Sequence, residues 1–464
     1  MKGPATEARP ATVGAQRGSP PFPKQAGDTS KPAWDWVERS VWTERMLQRL
    51  AQSQEQTVWF SLWDKVWAGD NLDQAILEVI LKAGCAGVDG QTTHQLNQDW
   101  AAQRAQLQEQ LRQGQYRPQP ARRVWIPKPG SSEQRPLGIP CVRDRVVETA
   151  LKHVLEPIFE RDFAAQSYGF RPGRSCQHAL GRVESLLQSG HTWIVDVDLK
   201  SYFDTIPQDR LMDLVRQRIQ DGKVLGLLQA YLRAGILEAG QDWQPTEQGT
   251  PQGSVISPLL SNIYLNPLDH LMAQQGYEMI RYADDLVVCC RSEAHAQQAL
   301  ATLAAWVAQA GLRLHPTKTR IVNAALKGGF DFLGYHFERY QEGRGSKWPR
   351  QKSQKKLRDS LREHLARGRS GGMRQILAEI NPILKGWYGY FQFSVPSAML
   401  RVDEWVRERI RHILRRRHKR RGMVKGRERT EYPIQWFVER GLFSLKVAQA
   451  RSWPVGYWAK SVVA

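Results

Sequence analysis

Cysteine is scarce in this chain of 464 residues, which contains only Cys85, Cys141, Cys176, Cys289 and Cys290. No two of them have the C-x-x-C spacing of zinc sites, and their number argues against a disulfide framework. Long hydrophobic runs are also missing, since no segment approaches about 18 consecutive apolar residues and the first residues lack the apolar stretch of a secretory signal. These absences predict a protein of a reducing, cytoplasmic compartment that neither spans a membrane nor needs structural zinc.

Aromatic residues are nearly absent from residues 1–33, where Phe22 is the only one among many Pro, Gly, Ala and Ser residues. Such a composition cannot bury enough apolar surface to fold, so this tail is predicted to be disordered. Apolar residues then recur at helical spacing from Trp34 to Leu81, from Asn97 to Leu111 and from Val142 to Phe163. These patterns predict amphipathic helices.

Acidic residues are scarce in the last quarter of the chain. Residues 344–464 hold 29 of the 66 lysines and arginines but 9 of the 46 acidic residues, which leaves 37 of each sign in the first 343 residues. A segment with so one-sided a charge is expected to bind phosphate backbones, with an affinity that falls as salt rises. Its densest basic run, the candidate RNA-binding residues, is Arg415, Arg416, Arg417, Lys419, Arg420 and Arg421.

Aromatic residues are interleaved with these charges. They are predicted to pack between helices, with stacking on unpaired bases as the alternative. The set is Trp387, Tyr388, Tyr390, Trp405 and Trp436.

Two carboxylates are adjacent at Asp284 and Asp285, between the apolar and β-branched runs 278–281 and 286–290. This pattern predicts a tight β-hairpin with both acids at its tip. Two ionised neighbours repel each other unless a cation compensates them, and a hard divalent ion with oxygen ligands suits them best. An isolated Asp-Asp pair is also common in solvated turns, so the motif needs support from elsewhere in the chain.

Period-2 alternation predicts a strand that ends at Asp198. A carboxylate at the end of a buried strand is costly unless it is paired or binds metal. Together with Asp284 and Asp285 it would form a site for two Mg²⁺ ions about 4 Å apart, suited to phosphoryl transfer. Asp196 has the same parity, so alternation does not separate it from Asp198, and Asp204 is predicted to be a turn or N-cap residue.

A Gly/Pro turn at residues 249–253 precedes an apolar helix and lies between the two acidic segments in sequence. Glycines allow the backbone to approach a ligand closely, and Gln252 can hydrogen-bond a base or sugar edge. Its place between the acidic strands predicts one wall of a nucleotide pocket.

This ordered set of motifs resembles the reverse transcriptase palm, and more narrowly the reverse transcriptase/maturases of group II introns. The resemblance implies an α+β right-hand polymerase, with fingers, an antiparallel palm sheet and an α-helical thumb or maturase X domain. The matching blocks follow the family order over most of the chain, at residues 86–90, 126–129, 135–140, 167–175, 316–319, 332–335 and 381–391. The implied divisions are a tail at 1–33, N-terminal extension and fingers at 34–185, palm at 186–343 and thumb at 344–464.

The resemblance assigns the metal site residue by residue. It selects Asp198 over Asp196, and it implies that Asp198 and Asp284 hold both Mg²⁺ ions. Asp285 would contribute less directly, and the backbone carbonyl of Leu199 would complete the site.

The resemblance also assigns the nucleotide pocket. Lys128 and Arg135 match the fingers residues that grip the incoming triphosphate, and Gln252 lines the pocket. Phe203 matches the position of a bulky ring that would reject ribonucleotides by a clash with the 2′-hydroxyl. Lys318 is assigned either to protonation of the departing pyrophosphate or to a template-backbone contact, and both roles stay open.

The function implied is DNA synthesis on an RNA template from dNTPs and a DNA primer, with maturase assistance to the splicing of the parent group II intron RNA. The protein is then expected in a cytoplasmic, nucleoid-associated ribonucleoprotein, and a homodimer is left open. Many relatives carry a zinc-containing HNH endonuclease after the thumb, and its cysteine cluster has no counterpart in this sequence. DNA cleavage by this chain is therefore not expected.

Three alternatives remain at this point. One is an RNA-binding maturase without polymerase activity, against which the complete set of acidic and basic site residues argues. Another is a relative recruited to host defence or retroelement diversification. The third, an RNA-templated RNA polymerase, is disfavoured by Phe203.

Overall fold

A computed structural model describes residues 34–53, 57–127, 134–238, 246–341, 344–366, 371–420, 422–424 and 426–452. The tail predicted to be disordered and the predicted site residues Lys128 and Arg421 lie outside these ranges. No helix in the described ranges is long and apolar enough to cross a bilayer.

The N-terminal region is helical, but its first helix begins later than the apolar pattern predicts. The Thr43 side chain accepts a hydrogen bond from the Met46 amide and caps α1, so residues 35–42 form turns, although Trp42 is fully buried. A second break falls at Asp99, which divides the helix predicted over Asn97–Leu111. The helices are α1 (Glu44–Gln52), α2 (Trp63–Val66), α3 (Gly69–Leu81), α4 (Thr93–Gln98) and α5 (Trp100–Arg112).

A small sheet and two long helices follow. Strand β1 pairs antiparallel with β2 and parallel with the short strand β4. The predicted amphipathic helix from Val142 is present as α6 and ends near the predicted residue. These elements are β1 (Ala121–Pro127), β2 (Gln134–Ile139), β4 (Ile236–Leu237), α6 (Val142–Glu160) and α7 (Cys176–Gln188).

The central sheet is antiparallel with strand order β5-β6-β3-β7, as the palm prediction requires. The predicted strand up to Asp198 and the predicted hairpin around Asp284 are both present. The strands are β3 (Trp193–Asp198), β5 (Glu278–Tyr282), β6 (Asp285–Cys290) and β7 (Arg320–Asn323). The helices are α8 (Tyr202–Thr205), α9 (Gln208–Arg216), α10 (Gly222–Arg233), α11 (Ser257–Gln274) and α12 (Glu293–Gln309).

The two faces of this sheet pack against different cores. Because side chains alternate along a strand, Val195 and Val197 face the core that includes α11 and α12. Ile194 and Val287 face the opposite core, which contains α7 and the C-terminal helices. Asp198 has the parity of Ile194, so the acidic residues lie on the face toward the C-terminal region. Cys289 and Cys290 are free and fully buried, which confirms that they are apolar strand residues.

The C-terminal region combines a three-stranded sheet of order β10-β9-β8 with a group of helices. The boundary predicted between residues 343 and 344 falls between the paired strands β9 and β10. The strands are β8 (Phe330–Phe332), β9 (Tyr335–Gln341) and β10 (Arg344–Pro349). The helices are α13 (Gln351–His364), α14 (Met373–Phe391), α15 (Pro396–Arg417), α16 (Gly426–Glu431), α17 (Ile434–Glu439) and α18 (Leu445–Ser452).

Candidate active site

The three predicted aspartates are brought together at one end of the central sheet. Asp198, the last residue of β3, lies directly opposite Asp285, the first residue of β6. Directly opposed residues of an antiparallel pair have their Cβ atoms about 5 Å apart on the same face. Asp284 lies in the two-residue turn before Asp285, next to Ala283, whose φ of 60° is left-handed.

The carboxylates of this site are close together and partly buried, which affects their protonation. Burial first, and then the nearby Asp284 and Asp196 carboxylates, raise the pKa of Asp285 to about 7. Burial and the charge of Asp198 also raise the pKa of Asp284. The Lys318 ammonium donates a 3.0 Å hydrogen bond to Oδ2 of Asp198. The site thus contains an excess of negative charge, and among the described residues Lys318 forms an ion pair with Asp198.

Asp196 occupies the same face but has a different partner. It lies opposite Val287 on one side and Arg320 on the other, and Nε of Arg320 is 3.2 Å from its Oδ2. Only Asp198 therefore faces Asp285 directly, although parity does not distinguish the two residues.

The backbone at Leu199 presents its carbonyl to the same end of the sheet. Leu199 lies opposite Leu314, and the Lys200 amide donates a 2.8 Å hydrogen bond to the Arg313 carbonyl. Leu199 and Leu314 are therefore a non-hydrogen-bonded pair of antiparallel strands. In such a pair each residue directs its own carbonyl away from the other strand. The carbonyl of Leu199 is therefore directed toward the side of β3 on which β6 and its turn lie.

Arg281 supports the acidic turn from inside the protein and is a residue that the sequence motifs did not single out. Its side chain is 0% exposed, and its Nη1 donates a 2.9 Å hydrogen bond to the Ala283 carbonyl. Its Nε donates at 2.8 Å to Asp269, and Nη1 also donates at 2.9 Å to Asn262. Its signal in the sequence is a cation that follows the apolar pair Met279 and Ile280 in β5, shortly before the two acids.

The segment around Gly169 packs against the turn from the other side. The Tyr168 amide donates a 2.8 Å hydrogen bond to the Arg281 carbonyl, and the Asn262 side chain donates at 2.9 Å to the Gly169 carbonyl. A Cβ atom on Gly169 would lie 2.2 Å from the Ala283 amide nitrogen. Only glycine allows this approach, which explains why the block 167–175 accompanies the acidic hairpin.

Two of the predicted pocket residues, Phe203 and Arg135, lie near the acidic turn. Phe203 is a half-buried residue of α8, and its ring lies 6.5 Å from that of Phe170. The Thr250 amide donates a 2.7 Å hydrogen bond to the Phe203 carbonyl. Arg135 is exposed on β2, and its charge lowers the pKa of Asp284 against the effect of burial.

Gln252 contacts Asp204, a residue predicted only as a turn or cap. Its Nε2 atom lies 3.2 Å from each Asp204 carboxylate oxygen. Asp204 lies within α8, so it is not the N-cap residue that the sequence predicted. Its contact is with a residue that is distant along the chain.

Glu148 supports the pocket loop from α6 and was also missed. Its side chain accepts a 2.8 Å hydrogen bond from the Ser254 hydroxyl and a 2.6 Å hydrogen bond from the Val255 amide. Burial raises the pKa of Glu148 to about 8. The signal in the sequence is a carboxylate that interrupts the apolar positions of α6.

Replacing Glu148 with Gln should make stability less dependent on pH. The folded state favours the neutral carboxyl, so this group destabilises the wild-type protein increasingly as pH rises from about 4.5 to about 8. The amide stays neutral, and the wild type should lose up to roughly 4 kcal/mol more than Glu148→Gln between those limits. Unfolding free energies from chemical denaturation at pH 4.5 and pH 8 measure this difference. Glu293→Gln, at an exposed glutamate, should follow the wild type, and a parallel pH dependence of Glu148→Gln would contradict the prediction.

The predicted basic run is divided by the fold. Helix α16 supplies acidic partners to two of its members, because Arg415 pairs with the buried Glu428 and Arg420 lies 2.8 Å from Glu431. Their guanidinium groups therefore contribute to thumb structure. The other described members are exposed, namely Arg416, Arg417 and Lys419.

The interleaved aromatic residues pack against the core of the C-terminal helices, as predicted. The Trp387 ring lies 4.7 Å from that of Phe391, and the Arg440 guanidinium lies 3.9 Å from the centre of the Trp436 ring. Packing within the protein therefore accounts for these aromatic residues, and a role in stacking on RNA bases is not needed to explain them.

Two families match separate parts of the chain. Residues 126–337 match the family described as reverse transcriptase (RNA-dependent DNA polymerase). Residues 354–432 match the maturase-specific domain of group II introns. The first match includes every predicted catalytic and pocket residue, and the second includes the basic run.

Two curated proteins show the extent of the similarity. Protein YkfC of Escherichia coli (strain K12) is 36% identical, over 54% of this chain and 76% of its own length. The group II intron-encoded protein LtrA of Lactococcus lactis subsp. cremoris is 40% identical, over 40% of this chain and 31% of its own length. The chain thus matches most of YkfC but less than a third of LtrA.

Proposed function

The chain belongs to the reverse transcriptases and maturases of group II introns, and on that premise we propose that it copies RNA into DNA at Asp198, Asp284 and Asp285. The observation that carries this proposal is the register that sets Asp198 opposite Asp285, with Asp284 in the adjoining turn. Arg135 and Phe203 lie around this end of the sheet, as a pocket for a nucleoside triphosphate requires.

The donor set suits Mg²⁺, because it consists of neighbouring carboxylates, with the Leu199 carbonyl directed to the same side. In addition to burial, Asp198 raises the pKa of Asp284, and Asp284 raises that of Asp285. No three acidic, histidine or cysteine side chains of the described ranges are already arranged as a metal cluster. Asp198 and Asp284 would hold the metal, and Lys318 would then release Asp198. Bound Mg²⁺ would supply neutralisation of the charge on the reacting phosphate.

The protein side chains would do the remaining work of substrate selection and positioning. Arg135 and Lys128 would neutralise the triphosphate charge that builds up as pyrophosphate leaves. Phe203 would exclude a 2′-hydroxyl, and Gln252 would contact the base or sugar edge. Lys318, once released, would be free to act on the pyrophosphate or on the template backbone.

A primer-extension assay tests the proposal. With an RNA template, a DNA primer, dNTPs and Mg²⁺, the wild-type protein should synthesise DNA up to the end of the template. Digestion of the template with ribonuclease before the assay should abolish the product. Binding of RNA without extension would overturn the polymerase proposal and favour the RNA-binding maturase.

Replacing Phe203 with Ala should allow ribonucleotides to be incorporated. Loss of the ring opens the space in which a 2′-hydroxyl would lie, so the preference for dNTPs over rNTPs should fall by about a hundredfold, or ~3 kcal/mol. Single-nucleotide incorporation with each class of substrate measures this ratio. Phe203→Tyr keeps the bulk of the ring and should retain the preference. Unchanged selectivity in Phe203→Ala would remove the steric role.

We also propose that the C-terminal region clamps structured RNA, as a maturase does for its intron. The proposal is supported by the match to the maturase-specific domain and by the exposed basic residues beyond those that pair with α16. RNA recovered with the protein after crosslinking should be enriched in intron sequence. Enrichment in unrelated RNA would instead indicate non-specific backbone binding.

The double variant Arg416→Ala/Lys419→Ala should bind RNA with a weaker salt dependence. If both cations neutralise phosphates, the slope of log affinity against log salt should become shallower by about 1.4 to 1.8. Affinities measured from 50 to 300 mM salt give this slope. Arg216→Ala/Lys223→Ala, which removes two exposed charges from α9 and α10, should keep the wild-type slope. Equal slopes for both double variants would place the RNA elsewhere.

A further inference from the structure

Asp204 has no part in the chemistry proposed above, yet the Gln252 amide of the pocket loop binds its carboxylate. We propose that Asp204 is a positioning residue for the incoming deoxynucleoside triphosphate, which it serves by holding Gln252 in the arrangement that receives the nucleotide. This inference rests on the proposed polymerase function and adds a residue to its substrate site.

The contact with Gln252 sets the orientation of the amide. Nε2 of Gln252 lies 3.2 Å from both Oδ1 and Oδ2 of Asp204, so the carboxylate binds the donor end of the amide. A carboxylate accepts hydrogen bonds and donates none, so it selects the nitrogen of an amide over the oxygen. The Oε1 atom of Gln252 is thereby directed away from Asp204 and is available to accept a hydrogen bond from a base or sugar edge.

Two arginines of the fingers sheet also interact with Asp204. Burial raises the pKa of Asp204, while Gln252 and then the charges of Arg123 and Arg135 lower it. Before a nucleotide binds, the Asp204 carboxylate therefore attracts the same cation that is predicted to grip the triphosphate. A bound triphosphate carries more negative charge and would draw Arg135 toward itself.

The backbone fixes the distance between the two pocket segments. The Gly249 amide donates a 2.7 Å hydrogen bond to the Ile206 carbonyl, and the Thr250 amide donates a 2.7 Å hydrogen bond to the Phe203 carbonyl. Gly249 has a φ of 83°, and a Cβ there would lie 2.7 Å from the Asp204 carbonyl oxygen. These backbone contacts hold the segment with Gln252 against the segment with Phe203 and Asp204. The Asp204 carboxylate is therefore kept within hydrogen-bonding distance of the Gln252 amide.

The exposure of Asp204 separates a positioning role from a structural one. The residue is exposed and its carboxylate is only partly buried, so removal of its hydrogen bond should have little effect on folding. The main effect of a substitution should therefore appear in the KM for the nucleotide, with a smaller change in kcat and in melting temperature.

A double-mutant cycle tests this inference in single-nucleotide incorporation on an RNA template. Asp204→Ala and Gln252→Ala should each raise the KM for dNTP about tenfold, and the double variant should be no worse than Gln252→Ala alone. Asp204→Asn keeps one acceptor oxygen for Nε2 and should be intermediate. Asp209→Ala, at an exposed aspartate of α9, should keep the wild-type KM.

The outcomes distinguish this inference from the proposed function. If the wild type extends the primer but the two single effects multiply in the double variant, Asp204 does not act through Gln252 and the inference fails. A wild-type KM in both Asp204→Ala and Asp204→Asn would overturn it as well. If the wild type does not extend any primer, the polymerase proposal itself fails and takes this inference with it.

Discussion

Replacing Asp198 or Asp284 with Ala should lower the rate of primer extension by about a thousandfold or more, equivalent to ~4 kcal/mol of transition-state stabilisation. These are the carboxylates predicted to hold the metal, and no other described acid has their position at the end of β3 and in the turn before β6. Single-turnover extension with saturating Mg²⁺ and dNTPs measures the rate. Asp285→Asn should have a smaller effect, because Asp285 is predicted to act less directly.

The loss of activity should not come from unfolding. In addition to burial, the Asp284 charge raises the pKa of Asp285, so Asp284→Ala relieves repulsion and should melt at or above the wild-type temperature at pH 8. Asp198→Ala loses only an exposed ion pair with Lys318 and should melt close to the wild-type temperature. Asp213→Asn removes a surface carboxylate that pairs only with Arg216 in the described structure, and it should keep the wild-type rate. Extension by Asp284→Ala at a rate near that of the wild type would refute the assignment of the catalytic site.

Replacing Arg281 with Met should cost both stability and activity. The Asp269 side chain, which is 0% exposed, would lose its ion-pair partner. An uncompensated buried charge destabilises a protein by about 3 to 5 kcal/mol. The Ala283 carbonyl would also lose a hydrogen bond from Arg281, so the turn that carries Asp284 would be held less firmly. Chemical denaturation measures the first effect, and single-turnover extension well below the melting temperature measures the second.

The double variant Arg281→Met/Asp269→Leu separates these two effects. Apolar replacement of both members of a buried ion pair is often neutral or stabilising, so most of the stability should return. Activity should stay low, because neither new side chain donates to the Ala283 carbonyl.

Lys347→Met provides the matched control, since it breaks the buried ion pair between Lys347 of β10 and Glu184 of α7 and leaves the Arg281 contacts in place. It should lose stability but keep the extension rate at low temperature. Recovery of full activity in the Arg281→Met/Asp269→Leu variant would show that Arg281 acts only through stability.

Local sequence patterns predicted the elements of the palm. Alternation located the strand that ends at Asp198, and the adjacent acids between two β-branched runs located the hairpin turn at Asp284, because both signals depend on neighbouring residues. The helix boundary at Thr43 was missed, since an apolar pattern continues through the turns before it and only the capping contact shows where the helix begins. The resemblance, rather than parity, separated Asp198 from Asp196.

By itself, the sequence determined which residue types could perform the chemistry, and it placed the excess positive charge in the C-terminal quarter. The tertiary structure decided which of them meet. Glu148 accepts a hydrogen bond from a loop more than 100 residues away along the chain, and Asp204 accepts one from Gln252 across 48 residues. Glu428 forms an ion pair with Arg415 of the basic run. Such contacts depend on how distant segments pack against one another, and no local periodicity contains that information.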